Sequence, residues 1–215
     1  PQKDVTYGFY TPGEDHNADV DVMNAALPWV QDKDIELVLI HLDQVDYAWH
    51  HEGGAVGEGW KAAANRVDTF LSQIIDQMDL ENETLLVFSD HGQIDRGGHG
   101  GSEVVTLTEP FLIAGKGIKE GKYPDMEMVD IAPTVSVLLG ISIPATAEGR
   151  PLFDMLTLDD DVRATYQMMA DNNQKNLAQA YLNAIRVDLP VIEDATVADI
   201  RNIRLIQDRW QRSFI

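Results

Sequence analysis

The chain is predicted to be α/β, with a mostly parallel sheet sandwiched by helices and a C-terminal helical appendage. Three observations lead there. Residues 35–42, "IELVLIHL", and 84–89, "TLLVFS", are continuous apolar runs too short for helices, which is the pattern of strands buried on both faces. Between them Trp60, Ala63, Val67, Phe70, Leu71, Ile74, Ile75 and Met78 recur at spacings of three and four, giving a helix one wide apolar face. Strand, helix, strand is a crossover unit, and such units build parallel sheets whose ligands sit beyond the carboxyl ends of the strands.

Taken in order, residues 18–31, "ADVDVMNAALPWVQ", read as an amphipathic helix with Val22, Ala26, Leu27 and Val30 on one side. The strand run 35–42, the helix after Gly59 and the strand run 84–89 follow. "EPFLIAGKGI" (109–118) reads as a further short strand entering a glycine turn. "VDIAPTVSVLLG" (129–140) carries Pro133 early and Gly140 last, the order in which a helix starts and stops. After "EGRPL" (148–152) the texture changes, and 159–187 and 195–211 read as polar helices separated by "VDLPVIED". Residues 1–153 are therefore expected to form the α/β part and 154–215 the helical appendage.

With 215 residues, 44% of them hydrophobic and 24% charged, the chain can bury a sizeable core. Asp and Glu outnumber Lys and Arg by 36 to 16, a formal net charge of -20, so no nucleic-acid-binding surface is expected. A phosphate ester would be repelled by this field unless cations in the site reverse its local sign. The absence of cysteine excludes disulfides, thiolate metal sites and Cys nucleophiles. No run approaches the roughly 18 apolar residues of a membrane span, and the opening "PQKDVTYGFYTPGEDH" does not read as a signal peptide.

Chemistry concentrates just past the two strand runs. "VFSDHGQIDRGGHGG" (87–101) places Asp90, His91 and His99 on a glycine-rich loop, and "HLDQVDYAWHHEGG" (41–54) places Asp46 and His50 four apart. That spacing lets a turn of helix or a tight loop bring both side chains to one side. Carboxylate oxygen and imidazole nitrogen together suit zinc before magnesium or calcium, with manganese or iron as alternatives. Five candidate ligands exceed one tetrahedral site, so two divalent metals are inferred. Asp43 and His51 are near substitutes for Asp46 and His50. His41, inside the apolar run, is expected to be a hydrogen-bonded core histidine and His16 a surface residue. Lys116 is expected in a solvated turn, and the acids Asp159, Asp160 and Asp161 at a helix N-terminus. Tyr47 and Trp49 would either line a pocket or pack beneath the loop.

The order Asp-x-x-x-His, Ser-Asp-His-Gly and Gly-x-His-Gly resembles the alkaline phosphatase superfamily, in the branch of the type I phosphodiesterases/nucleotide pyrophosphatases and the ethanolamine-phosphate transferases of GPI-anchor synthesis. "DIAPTVSVLLGISIPATAEGRPL" is similar to the closing helix and loop of that fold, and the resemblance spans about residues 18–153. It implies that Asp46, His50 and His99 hold one zinc and that Asp90 and His91 help to hold the other. Trp49 stands where family members usually have Gly. The family's Thr or Ser nucleophile and first metal-binding Asp match nothing here; both are expected upstream. The chain thus resembles the metal-binding C-terminal half of a two-metal phosphoester hydrolase or phosphotransferase, inactive as a fragment, whose substrate is a phosphoester or related anion displaced in line at phosphorus. Sulfatase or phosphomutase chemistry on the same fold, or a non-catalytic binding module, are the alternatives. An exposed sheet edge is expected to drive homodimerisation. The transferase-type relatives are extracytoplasmic and membrane-associated, and "RWQRSFI" (209–215) would then approach a membrane helix; the residues themselves specify no compartment.

Overall fold

The computed structural model describes residues 5–11, 17–185 and 199. Compactness divides the chain into two units, 1–116 and 117–215. The texture change expected to separate 1–153 from 154–215 is a change of composition, and the two boundaries mark different properties.

In the first unit, helix α1 (Ala18–Gln31) buries Ala18, Met23 and Ala26. Helix α2 (Gln44–His51) lies against α3 (Gly59–Gln77), which also packs on α1. Ala48 on α2 is 1% exposed and Ala63 on α3 is 0% exposed; side chains this small let two helix backbones approach closely. Strand β1 (Thr84–Phe88) leads through a loop and the short helix α4 (Val104–Leu107) into β2 (Phe111–Gly115).

The expected parallel, helix-sandwiched sheet is not formed by the described residues. β1 and β2 pair antiparallel in a two-stranded sheet, with Thr84 opposite Gly115 and Phe88 opposite Phe111. Parallel pairing needs a long crossover, usually a helix, and the 89–110 connection instead turns back with a single short one. The run 35–42 is not a strand among the described residues either. Val38, Ile40 and Leu42 are half-buried while Leu37 and Leu39 are 59% and 81% exposed, so from Leu37 onward only one face is packed and no ladder satisfies its backbone.

In the second unit, helix α5 (Ile131–Leu138) follows a one-turn helix at Met128–Asp130 whose ends Glu127 and Asp130 cap each other. Its far end closes as the sequence predicts: Gly140 N–H donates to Val137 O and Ile141 N–H to Ser136 O, the two bonds of a Schellman stop. Asp130, 5% exposed, accepts the Arg150 N–H at 2.8 Å, and the Thr134 hydroxyl accepts the Leu152 N–H at 2.9 Å. These bonds tie "EGRPL" to α5. Helix α6 (Asp160–Ile185) starts at the predicted acidic run, and its Tyr166 and Ala170 share one core with Val137, Ile143, Phe153 and Leu156. The predicted helix 195–211 lies outside the described residues, except Asp199. Among those residues no helix is long and apolar enough to cross a membrane.

Candidate metal centre

The geometry begins with α2, because its register sets where Asp46 and His50 point. A helix leaves its first N–H groups without intrahelical partners, and Asp43, at the N-cap, makes no capping bond of its own. Asp19 on α1 does so instead: its Oδ1 accepts the Asp43 N–H at 2.8 Å and its Oδ2 the Gln44 N–H at 3.3 Å. Asp19 is only 1% exposed, and burial pushes its carboxyl above the ordinary Asp range while the two N–H groups pull the other way. From α3, Arg66 Nε donates to Gln44 Oε1 at 3.3 Å. The start of α2 is thereby held from both neighbouring helices.

The second part is the 89–103 loop. Gly98 and Gly100 both have positive φ, 93° and 68°, a conformation costly for residues with a Cβ, and they turn His99 back onto α2. His99 Nε2 lies 3.1 Å from Asp46 Oδ1, and His50 Nε2 lies 3.5 Å from the same oxygen. The Gln93 amide Nε2 also donates to Asp46 Oδ1. Trp49 Nε1 donates to Ile94 O at 3.0 Å, and the Trp49 ring packs on Trp60 at 5.5 Å. The residue that departs from the family pattern is therefore a tie between α2 and the loop.

His91 and Asp90 adjoin this cluster. The His91 ring centroid is 4.2 Å from that of His99, and its Nε2 is 3.8 Å from Asp90 Oδ2. His91 Nδ1 lies 3.0 Å from Gly92 O; a carbonyl only accepts, so Nδ1 carries the proton and Nε2 keeps its lone pair in the neutral ring. The Asp90 side chain is 64% exposed. Asp46, His50 and His99 thus converge, Asp90 and His91 stand beside them as a looser pair, and all five lie in the first unit. His51 packs on Tyr47 at 4.5 Å. His41 is exposed, not a core histidine as expected, because the run carrying it is packed on one face only. Lys116 is exposed, as expected, and His16 lies outside the described residues. Asp19 and Gln93 are residues that sequence reasoning missed: a first-turn Asp is ordinary helix chemistry, and a Gln after Asp-His-Gly carries no ligand signal of its own.

The donor set fits a divalent cation. The Asp46, His50 and His99 ligand atoms all lie within 4.8 Å of one another. Bonds of about 2.0–2.1 Å in a tetrahedral zinc site put neighbouring ligand atoms roughly 3.3 Å apart, a length bracketed by the two Asp46 to imidazole distances, 3.1 and 3.5 Å.

An ordered carboxylate and imidazole cluster at the loops of an α/β framework is the pattern of the alkaline phosphatase superfamily. Residues 6–195 match the family model described as "Type I phosphodiesterase / nucleotide pyrophosphatase", and the chain belongs to that family. It is 25% identical over 206 residues to GPI ethanolamine phosphate transferase 3 of Eremothecium gossypii, covering 84% of this chain and 20% of the relative. It is 26% identical over 146 residues to the human GPI ethanolamine phosphate transferase 3, catalytic subunit, covering 65% of this chain and 13% of the relative. It is 25% identical over 147 residues to the 2,3-bisphosphoglycerate-independent phosphoglycerate mutase of Rhodopirellula baltica, covering 64% and 26%. The chain thus spans about a fifth of the length of the first of these relatives. No solved structure matches it.

Proposed function

We propose that this chain is the metal-binding half of a two-metal phosphoester hydrolase or phosphotransferase of the phosphodiesterase/nucleotide pyrophosphatase kind. The observation that carries this reading is the approach of His50 Nε2 and His99 Nε2 to one oxygen of Asp46, from elements far apart in sequence. Asp46, His50 and His99 would hold one cation, zinc or alternatively manganese, and Asp90 with His91 would contribute to a second. Bound cations supply positive charge where negative charge develops on phosphoryl oxygens. The chain's own residues provide the cage and its rigidity: Asp19 caps the helix bearing two of the donors, Trp49 anchors the loop bearing the others, and the Gly92 carbonyl sets the His91 tautomer. In a protein of net charge -20, such a cage is also the means of admitting an anionic substrate. The Thr or Ser nucleophile belongs, on this reading, to an upstream part of a longer parent.

The mutase among the relatives favours phosphomutase chemistry as the second reading, with phosphoryl transfer between two positions of one substrate replacing transfer to water or to another acceptor. Metal analysis by plasma emission after zinc loading tests the cage. We expect about one zinc or more per chain, lost when His50 and Asp90 are both replaced by Ala. A longer parent should then cleave a nitrophenyl phosphodiester in a zinc-dependent way. Inactivity towards phosphomonoesters, phosphodiesters and sulfate esters alike would overturn the enzyme reading and leave a binding module.

A further inference from the structure

We propose that Gln93 is a further oxygen donor of the Asp46, His50 and His99 centre, its carboxamide turning by half a rotation to present Oε1 to a bound cation. Gln93 has this role only if the metal-centre reading above holds. Its carboxamide places a donor and an acceptor on one carbon, so half a turn about the last side-chain bond exchanges them with little change of shape. Against the carboxylate, Nε2 is the end that donates to Asp46 Oδ1, because Oε1 in that position would set two acceptors against each other. The consequence is an Oε1 that is buried with no donor, an arrangement native proteins avoid. A cation seated on Asp46 reverses the preference at this contact, since both oxygens then face positive charge, and that attraction has to outweigh the amide N–H groups passing into the position that Oε1 leaves.

The backbone keeps this side chain in place for the exchange. On one side of Gln93 the Gly92 N–H donates to Thr106 O at 3.1 Å; on the other, Ile94 N–H donates to Gly98 O at 3.2 Å and Ile94 O accepts Trp49 Nε1–H at 3.0 Å. Gln93 therefore cannot swing out with a loose loop. Three protein donors leave a position open on a tetrahedral ion, and a neutral amide oxygen is a hard donor that serves manganese better than zinc.

The test is calorimetric titration of Mn(II) and, separately, Zn(II) into the chain and into Gln93→Leu and Gln93→Met, with the fold of each checked by circular dichroism. Two apolar replacements of different shape keep the test intact should one misfold. We expect Mn(II) affinity to fall by about tenfold or more and Zn(II) affinity by distinctly less, so that the preference between the metals shifts. Equal losses for both metals would make Gln93 a residue acting only through Asp46, and unchanged affinities would remove it from the centre; either result overturns the assignment. A wild-type chain that binds neither cation would instead overturn the metal centre itself.

Discussion

Gly92, between the Asp90–His91 pair and Gln93, has no space for a side chain. A Cβ there would stand 2.0 Å from the Val105 carbonyl oxygen, backbone that can yield only by moving α4. Gly92→Ala is expected to destabilise the fold by about 1–3 kcal/mol and to weaken metal binding with it; thermal unfolding and zinc titration check both, and an unchanged midpoint would show that the loop tolerates displacement. At this scale much of the candidate site was legible. Asp46, His50, Asp90, His91 and His99 all stand out because carboxylate and imidazole are ligand types and glycine marks a close turn. Gln93 did not, because its relevance lies in where its amide points, and Trp49 could be read as pocket or packing until its indole N–H was seen on Ile94 O.

Among the elements, α2 depends most on another. Its first N–H groups end on Asp19, so Asp19→Ala should strand both and cost about 1–2 kcal/mol, with metal affinity reduced because Asp46 and His50 share the helix. Asp19→Asn keeps one acceptor and should cost less. The pH dependence follows from the raised carboxyl. A group whose folded value lies above its unfolded value contributes fully below the unfolded value, about 3.9 for Asp, and loses that contribution as pH rises through the folded value. The Asn variant should lack this slope. Urea unfolding across that pH range measures it, and identical slopes in the two proteins would count against Asp19 as its source. Helices α1, α3 and α5, the start of α6 and both strands agree with the periodicities read from the sequence. The run 35–42 does not, because a strand needs a neighbour to satisfy its backbone, and an apolar run specifies burial without specifying a partner.

For the molecule as a whole, charge and exposed apolar surface act against each other. Leu37, Leu39, Phe88 and Leu112 are all more than a third exposed, and β1 and β2 pair only with each other among the described residues. Open edges of this kind invite pairing with a second copy, while a net charge of -20 opposes it. Self-association is accordingly expected to rise with salt as the Debye length falls towards about 10 Å at 0.1 M. Light scattering across a salt series would measure it, and a monomer at high protein and salt concentration would remove the sheet edge as an interface. By itself the sequence determined α1, α3, α5 and the start of α6, the strands at 84–88 and 111–115, and the candidate ligand types and their order, since each is written in local spacing. Only the tertiary structure decided that His99 meets Asp46 across 53 positions and that Asp19 caps α2 across 24. It also decided that the two strands run antiparallel. Those outcomes depend on how helices and loops pack, and no local pattern of residues encodes the direction in which a chain returns.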